Sequence, residues 1–319
     1  GFGGKLRAYL EPIAAILSKK TNRPVKLTMS RAEVLEATGP TSAAKIDVKI
    51  GLVANKILCA KVVFFMEGGA FQGAPIGGAA TSSFVPYNIP NIFVEGFDVA
   101  VNKATSSAYR APGAPIVTFA IESLMDDIAN QLKLDALGFR LNHVAKEGTR
   151  RGNGLRNPPI GAEEILLAIK DSDHYKSIKP TNIGRGISIG FWGNGSGAAC
   201  AIANVMPDGK ISLIEGSIDI GGSRTVVAQQ MAEILGIPVE NIHPIIGDTD
   251  TIGYTSNTGG SGVAFKSGWA AIEAAKHIQN QMIKRASILF DVDSDKLIYS
   301  NGCVLNQSDP KQILSFNEI

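Results

Sequence analysis

The chain has 319 residues, enough for about two domains of ordinary size, and 45% of them are hydrophobic while 19% are charged. This composition is typical of a globular protein, and a formal net charge of +2 excludes the strongly basic surface that nucleic-acid binding requires. No apolar run approaches the ~18–20 residues of a membrane span, and no signal-type segment precedes the first predicted helix, so we expect a cytoplasmic protein.

The first predicted helix follows a glycine-rich opening, GFGGK, and carries an apolar stripe. The residues of the stripe repeat at helical spacing and predict one buried face; they are Leu6, Leu10, Ile13, Ile16 and Leu17. Two lysines and a proline in KKTNRP mark the end of the helix, and VKLTMS is predicted as a short strand.

A β-hairpin is predicted next, in KIDVKIGLVANKILCAKVVFFM, where apolar residues alternate and ANK supplies the turn. A second glycine-rich loop, EGGAFQGAPIGGAA, leads to the predicted strand IFVEGFDVAV. The segment SSAYRAPGAP then precedes a predicted helix in IVTFAIESLMDDIANQLKLD.

In the second half, two apolar strands joined by the turn PDGK are predicted within GRGISIGFWGNGSGAACAIANVMPDGKISLIEGSID. GGSRTVVAQQMAEILGIP follows as a loop and a helix, and ENIHPIIG as a strand. A long loop then leads to a predicted helix from about Val263 to Phe290, and a closing hairpin turns at Asn301 and Gly302.

The two halves are separated by AKEGTRRGNGLRNPPIG, which is rich in Gly, Arg, Asn and Pro and has no periodicity. We therefore predict a first domain over residues 1–147 and a second over residues 148–319. Strands and helices alternate with hairpins in both halves, so the predicted fold class is mixed α/β (α+β), with two domains of mixed sheets and helices.

Metal-binding and nucleophilic side chains form no recognisable pattern. Cys59, Cys200 and Cys303 are odd in number and far apart, and the four histidines lack ligand spacing, so any metal would have to be held by a cofactor. No serine or cysteine has a histidine partner in a recognisable local pattern, so the sequence gives little support to nucleophilic catalysis. In GDTDT, Asp248 and Asp250 could bind a hard cation or cap a turn, and the cap is favoured.

Four glycine-containing loops stand next to predicted helices or strands, and the last two of them also carry small hydroxyl residues: Gly1–Lys5, Arg110–Pro115, Gly221–Thr225 and Thr258–Ser261. Any one of them alone is more often a helix cap than a binding site. Together they favour a large polar ligand bound by backbone amides. Neither the dinucleotide motif G-x-G-x-x-G nor the Walker motif occurs in the right context, which argues against NAD and ATP.

The order of the motifs is more informative than any single one. GFGGK is followed at characteristic distances by RPVKLTMSRAEV, YNIPNI, AYRAPGAP, ESLMDDIA, DIGGSRT, MAEILGIP, GDTDT and TGGS. This set resembles the molybdenum-binding chain of the xanthine dehydrogenase and aldehyde oxidoreductase family, the molybdenum hydroxylases. The resemblance implies a molybdopterin cofactor between the two domains, in bacterial members often in its cytosine dinucleotide form.

The resemblance also implies which residues contact the cofactor. Phe2, Gly3 and Gly4 would lie beside the molybdenum ligands, and Arg110 near the metal. The pterin and phosphate path would be lined by Gly221, Gly222, Ser223 and Thr225, and the pyranopterin by Gly259, Gly260 and Ser261. The molybdenum would be held through the cofactor, with no protein metal ligand.

Members of this family hydroxylate aldehydes or N-heterocycles with oxygen from water, and pass the electrons to iron–sulfur clusters and often FAD. The resemblance therefore implies partner chains or domains that carry 2Fe-2S clusters and FAD. The family's general-base glutamate lies in a glycine-rich segment with no counterpart in this chain, so no catalytic base is assigned. We expect this chain to be part of a longer or split molybdenum subunit and to associate with the remaining segments.

Two departures from the purine-specific members bear on the substrate. Leu6 stands where those members carry a glutamate, and Pro112 where they carry an aromatic residue, which lowers xanthine as a candidate and leaves an aldehyde or a heteroaromatic ring. Phe191 and Trp192 would either wall a flat substrate or pack in the core. A rival interpretation is a cofactor-binding or scaffold domain that is inactive on its own.

Overall fold

The computed structural model describes residues 7–319, and packing divides the chain into two units, Gly1–Trp192 and Gly193–Ile319. Both units combine helices with a sheet of mixed strand direction, which confirms the predicted mixed α/β class. The predicted domain boundary between residues 147 and 148 stays a prediction.

Within its described residues, the first unit contains the strands β1 (Ala44–Val53), β2 (Lys56–Gly69) and β3 (Asn91–Ala100). Its helices are α1 (Glu11–Thr21), α2 (Arg31–Ala37), α3 (Ile76–Ser82), α4 (Ala114–Gln131), α5 (Ala136–His143), α6 (Ala162–Asp171) and α7 (Asp173–Lys176). The predicted hairpin is confirmed: β1 pairs antiparallel with β2, and Ala54 and Asn55 both adopt the left-handed conformation of a tight turn.

The core of the first unit lies between its sheet and α4. Alternate residues of β2, among them Val62, Phe64 and Met66, are fully buried and pack in one cluster with Val117 and Met125 of α4. Strand β3 joins the sheet parallel to β2 and completes the order β1-β2-β3. The strand and the long helix predicted in this half are therefore confirmed.

Two predictions near the start of the chain are wrong. The apolar stripe of α1 is exposed and not buried, with Ile13 at 50% and Ile16 at 57% exposure, because no described element covers it. The segment VKLTMS forms no strand. Its last residue, Ser30, caps α2 in a reciprocal pair with Glu33, and this local bonding starts a helix directly after the segment.

The second unit begins with the antiparallel pair β4 (Ala201–Val205) and β5 (Ile211–Glu215), joined by the predicted PDGK turn. Helix α8 (Ser223–Leu235), strand β6 (Ile242–Ile246) and helix α9 (Val263–Phe290) follow, and β6 pairs parallel with β5 to give the order β4-β5-β6. A separate three-stranded sheet closes the unit and consists of β7 (Leu297–Ser300), β8 (Cys303–Asn306) and β9 (Asp309–Ser315).

Both helices of this unit pack on the same face of the first sheet. Buried residues of β5, Ile211 and Leu213, meet Val227 and Met231 of α8 and Ala271 of α9 in one cluster. Residues 183–200, which were predicted to contribute to an apolar strand, form neither helix nor strand. The ladder begins only at Ala201, because the preceding residues have no strand partner in the described part of the chain.

Candidate cofactor site

The second unit brings two of the predicted glycine loops to one end of its sheet. Because β5 and β6 are parallel, their carboxyl ends lie at the same end of the sheet, and each strand is followed by a loop that leads into a long helix. The N-termini of α8 and α9 thus lie at that end. Helix N-termini carry unpaired N–H groups and a partial positive charge, and this position is a common anion-binding site in α/β sheets.

Asp219, the first residue of the motif DIGGSRT, organises the first of these loops, although the sequence analysis gave it no role. Its carboxylate accepts hydrogen bonds from the N–H groups of Gly221 and Ser223, both at 3.0 Å, and from the Ser223 hydroxyl at 2.8 Å. Arg224 Nε donates to the other oxygen at 2.9 Å. The bond from Arg224, followed by those from Ser223 and Gly221, holds the pKa of Asp219 well below its usual range.

The two glycines of this loop are required by its backbone. Gly221 has φ 108° and Gly222, the N-cap of α8, has φ 82°, both in the region that side chains with a Cβ rarely adopt. Among residues 7–319, and apart from the adjoining residues of the loop, no atom lies within 4 Å of where a Cβ would stand at either position. The loop therefore presents bare backbone to open space at the start of α8.

Gly222→Val is expected to lower the free energy of unfolding of the second unit by about 1–3 kcal/mol, because valine would be forced into the left-handed region. Denaturant unfolding followed by the fluorescence of Trp269 measures this change. Thr225→Val, two residues beyond the start of the helix and exposed, is the matched control and should have little effect. Equal destabilisation by the two variants would show that the conformation of Gly222 does not matter.

The second loop, Thr258–Ser261, lies against the first. The Thr258 hydroxyl donates to the carbonyl of Ile218 at 3.2 Å, next to Asp219. Gly260 and Ser261 adopt positive φ, and the Gly260 carbonyl accepts from the Gly195 N–H at 2.5 Å. Thr258–Ser261 therefore lies next to the segment that leads into Gly221–Thr225.

Lys266 is a second residue that sequence reasoning missed. It lies one turn into α9, and its buried Nζ donates to the Ser256 carbonyl at 2.9 Å, the Ser256 hydroxyl at 2.7 Å and the Asn257 carbonyl at 2.7 Å. Burial lowers its pKa. The amine thereby fixes the segment that leads into Thr258–Ser261. A lysine so close to a helix N-terminus, where a positive charge is unfavourable, was the available signal.

A buried carboxyl group lies at the carboxyl end of β5. Glu215 is fully buried, and within the described residues neither of its side-chain oxygens has a hydrogen-bond partner. Burial, followed by the negative charge of Asp219, raises the pKa of Glu215 to about 7, and Arg224 opposes the rise. The group can therefore carry a proton at neutral pH beside the first glycine loop.

The arginine loop, Arg110–Pro115, belongs to the first unit. Arg110 and Ala111 have φ 29° and 53°, and Gly113 caps α4 with φ 86°. A Cβ at Gly113 would collide with the backbone of α3, and one at Gly78 of α3 would collide with the Pro112 carbonyl. The loop is thus held tightly against α3, with Arg110 exposed at its start.

The two aromatic residues at the end of the first unit have different surroundings. The Arg151 guanidinium lies 4.9 Å from the centre of the Phe191 ring, a cation–π contact that favours packing for Phe191. The Trp192 ring lies beside Gly78 of α3, and α3 holds the arginine loop. Trp192 therefore remains the candidate for a wall next to that loop.

The first aspartate of GDTDT, Asp248, caps a turn. Asp248 accepts from the N–H groups of Asp250 and Thr251, both at 2.9 Å. Across residues 7–319, no group of His, Cys, Asp and Glu side chains is arranged to hold a metal ion.

In the same range, no helix is both long and apolar enough to cross a membrane. The cytoplasmic location stays a prediction.

Comparison with known families identifies the two halves. Profiles of two families, both described as molybdopterin cofactor-binding domain, match residues 1–144 and 166–319. The chain belongs to the molybdopterin-binding chains of the xanthine dehydrogenase and aldehyde oxidoreductase family, the molybdenum hydroxylases. The family resemblance read from the ordered motifs is therefore confirmed.

Individual relatives agree with the molybdenum hydroxylase assignment. The chain is 28% identical to a probable xanthine dehydrogenase subunit of Bacillus subtilis, in a match that covers the whole of this chain and 45% of that protein. It is also 27% identical to the xanthine dehydrogenase molybdenum-binding subunit of Escherichia coli O157:H7, in a match that covers 98% of this chain and 44% of that subunit. The chain thus spans less than half the length of these relatives.

Solved structures share the fold. Quinoline 2-oxidoreductase from Pseudomonas putida 86 superposes with a TM-score of 0.84 at 21% identity, over the whole of this chain and 45% of that one. Aldehyde oxidoreductase from Desulfovibrio gigas superposes with a TM-score of 0.70 at 25% identity, over 88% of this chain and 33% of that one. The fold of both halves is therefore that of the molybdenum hydroxylases.

The first glycine loop fits a phosphate of the molybdopterin cofactor. Asp219 occupies the N–H groups of Gly221 and Ser223, so a phosphate would be bound by the N–H groups of Arg224 and Thr225, which have no partner within the helix, and by the Thr225 hydroxyl. The bare glycines leave room for it. Phe2, Gly3, Gly4 and Leu6 lie outside the described residues, and the roles of all the named binding residues stay predictions.

Proposed function

We propose that this chain supplies the molybdopterin-binding part of an oxidoreductase that hydroxylates an aldehyde or an N-heterocycle with oxygen from water. The observation that carries the proposal is the position of Gly221–Thr225 and Thr258–Ser261 at the N-termini of α8 and α9, with Thr258 bonded to Ile218 just before the first loop. Two glycine-rich helix N-termini at the same end of a sheet suit a large anionic cofactor. Both halves of the chain also match molybdopterin cofactor-binding domain families.

The bound cofactor would supply the redox chemistry and the Lewis acidity of its metal. The residues of this chain have supporting roles. The N–H groups of Arg224 and Thr225 would bind a phosphate, while Asp219 holds the loop in shape and Lys266 fixes the neighbouring segment. Arg110 would approach the metal from the arginine loop.

The proposed substrate follows from the apolar residues at two positions. Leu6 and Pro112 provide no hydrogen bond to a purine, whereas an aldehyde or a simple heteroaromatic ring needs none. The general base would come from the part of the subunit outside these residues. Electrons would leave through 2Fe-2S and FAD partners, and we propose the cytosine dinucleotide form of the cofactor.

The second candidate is a cofactor-binding or scaffold domain without activity of its own. The share of the relatives that the chain covers, 45% of the Bacillus subtilis protein, does not separate the scaffold from the enzyme. Metal analysis by plasma mass spectrometry, on the protein purified from its host with its partners, separates the two. Molybdenum near one atom per chain together with substrate oxidation supports the enzyme; molybdenum without oxidation of any aldehyde or heterocycle supports the scaffold.

Asp219→Ala is expected to lower the molybdenum content by about tenfold or more, because outer residues that hold a metal or cofactor site typically contribute about 10–100-fold in affinity. Asp208→Ala is the matched control, since Asp208 pairs with Lys210 on an exposed turn of the same unit. Molybdenum and released pterin are both measured in the purified variants. Unchanged content in Asp219→Ala would contradict a binding role for this loop.

A further inference from the structure

The first sheet of the second unit has two edges that differ in sequence. At one edge, β6 contains Pro244, which has no N–H group and is typical of an edge that must not pair. At the other edge, β4 reads AIANV, with no proline and no charged residue, and it pairs with β5 without a bulge. The edge of β4 therefore lacks the features that protect a free edge.

The pairing pattern shows which backbone groups of β4 are open. Met206 N donates to the Lys210 carbonyl at 2.8 Å, and antiparallel alternation then places Asn204 in the next position bonded to β5. The N–H and C=O groups of Ala203 and Val205 consequently point away from β5. Within the described residues, no strand pairs with them.

The helices above the sheet are wider than its three strands. Helix α8 packs over β6 and α9 over β4, so the two helix axes lie near the two edges of the sheet. A helix with its side chains is about 10–12 Å wide, while neighbouring strands are only about 4.8 Å apart. Helix α9 therefore extends past β4 by about the width of one strand.

A groove of about 930 Å³ lies between α9 and β4. Small residues line it, namely Ala199, Ala201, Ala203, Ala270 and Ala274. Phe265 and Trp269 stand at its side, 55% and 56% exposed. Its Glu273 and Lys276 pair with each other at 2.9 Å. His277, Asn280 and Gln281 also line the groove, which therefore offers both apolar and polar surface to an occupant.

We propose that a β-strand from the part of the molybdenum subunit outside these 319 residues pairs with the open edge of β4 and fills this groove under α9. The curated relatives that match this chain are more than twice its length, so such a strand is available within the same subunit. Covalent linkage gives it a high local concentration. Its alternate side chains would cover Ala270 and Trp269, and its backbone would satisfy Ala203 and Val205.

Amide hydrogen exchange on the subunit purified from its host, resolved by mass spectrometry with electron-transfer fragmentation, tests the pairing. The amides of Ala203 and Val205 are expected to be protected at least about tenfold relative to exposed loop amides, independently of protein concentration. Exchange as fast as in a loop would overturn the proposal. Protection that disappears on dilution would also overturn it, because a second copy of the chain would then be the partner.

A pair of variants provides a second test. Val205→Pro removes an N–H group that points to the open edge and none that bonds to β5, and its ring also restricts the backbone of the strand, whereas Val205→Thr keeps this N–H group. The proline variant is expected to lower the melting temperature of the subunit, and the threonine variant to leave it within about a degree of the wild type. Equal melting temperatures for the two variants would overturn the proposal, as would rapid exchange at Ala203 in the wild type.

Discussion

Glu122→Ala is expected to lower the free energy of unfolding of the first unit by about 3–5 kcal/mol, the range found when one member of a buried ion pair is removed. Glu122 and Arg140 are both buried, and Arg140 Nε donates to Glu122 at 2.9 Å. The same carboxylate accepts from the Tyr87 hydroxyl and from the Ile189 N–H. Its loss would leave a buried guanidinium with Asp126 as its remaining carboxylate partner, at 2.8 Å.

The two tryptophans allow each unit to be followed separately, since Trp192 belongs to the first unit and Trp269 to the second. The Trp269→Phe background leaves Trp192 as the reporter in denaturant unfolding. Glu163→Ala is the control, because its partner Lys146 is exposed and such pairs contribute at most about 1 kcal/mol. If Glu122→Ala cost no more than Glu163→Ala, the network would not stabilise the unit.

The elements that were predicted correctly are those whose structure is determined by residues close together in the sequence. The β1–β2 hairpin could be predicted because Asn55 suits a left-handed turn between two alternating strands. The segment VKLTMS has strand-forming residues but finds no partner, and the capping pair of Ser30 and Glu33 that follows was overlooked. The exposed face of α1 could not have been foreseen, because burial depends on what covers a helix.

In the candidate site too, residues whose role depends on the local backbone could be predicted, and residues whose role depends on distant contacts could not. Gly221 and Gly222 could be recognised because glycine is needed where φ is positive beside a helix start. Asp219 and Lys266 were missed because their roles depend on bonds that form only when the loops fold. The Glu122–Arg140 pair joins two helices, and no local pattern relates its members.

Glu215 illustrates a residue whose meaning is visible only in the folded chain. In the sequence it simply ends an apolar strand, yet the fold buries it with neither oxygen bonded within the described residues. The charged groups that act on it are Asp219 and Arg224, both in the first glycine loop and the helix start. The protonation of Glu215 is thereby coupled to the loop that is proposed to bind the cofactor.

The stability of the second unit is expected to fall between about pH 4.5 and pH 7, and Glu215→Gln is expected to remove this fall. The pKa of Glu215 is raised to about 7 in the folded chain from 4.5 in an unperturbed glutamate, so in this interval the unfolded state ionises while the folded state keeps its proton. Below the interval the neutral acid is tolerated in both states. Above it the full cost of the buried charge is reached.

A difference of about 2.5 pKa units corresponds to about 3 kcal/mol, so Glu215→Gln should be more stable than the wild type by about that amount at about pH 8 and nearly equal to it at about pH 4. Denaturant unfolding of the Trp192→Phe background, followed through Trp269, measures both values. Glu240→Gln, an exposed position in the same unit, is the control and should follow the wild-type pH profile. Parallel profiles for the wild type and Glu215→Gln would mean that Glu215 is ionised in the folded chain, and that the loop around Asp219 and Arg224 accommodates its charge.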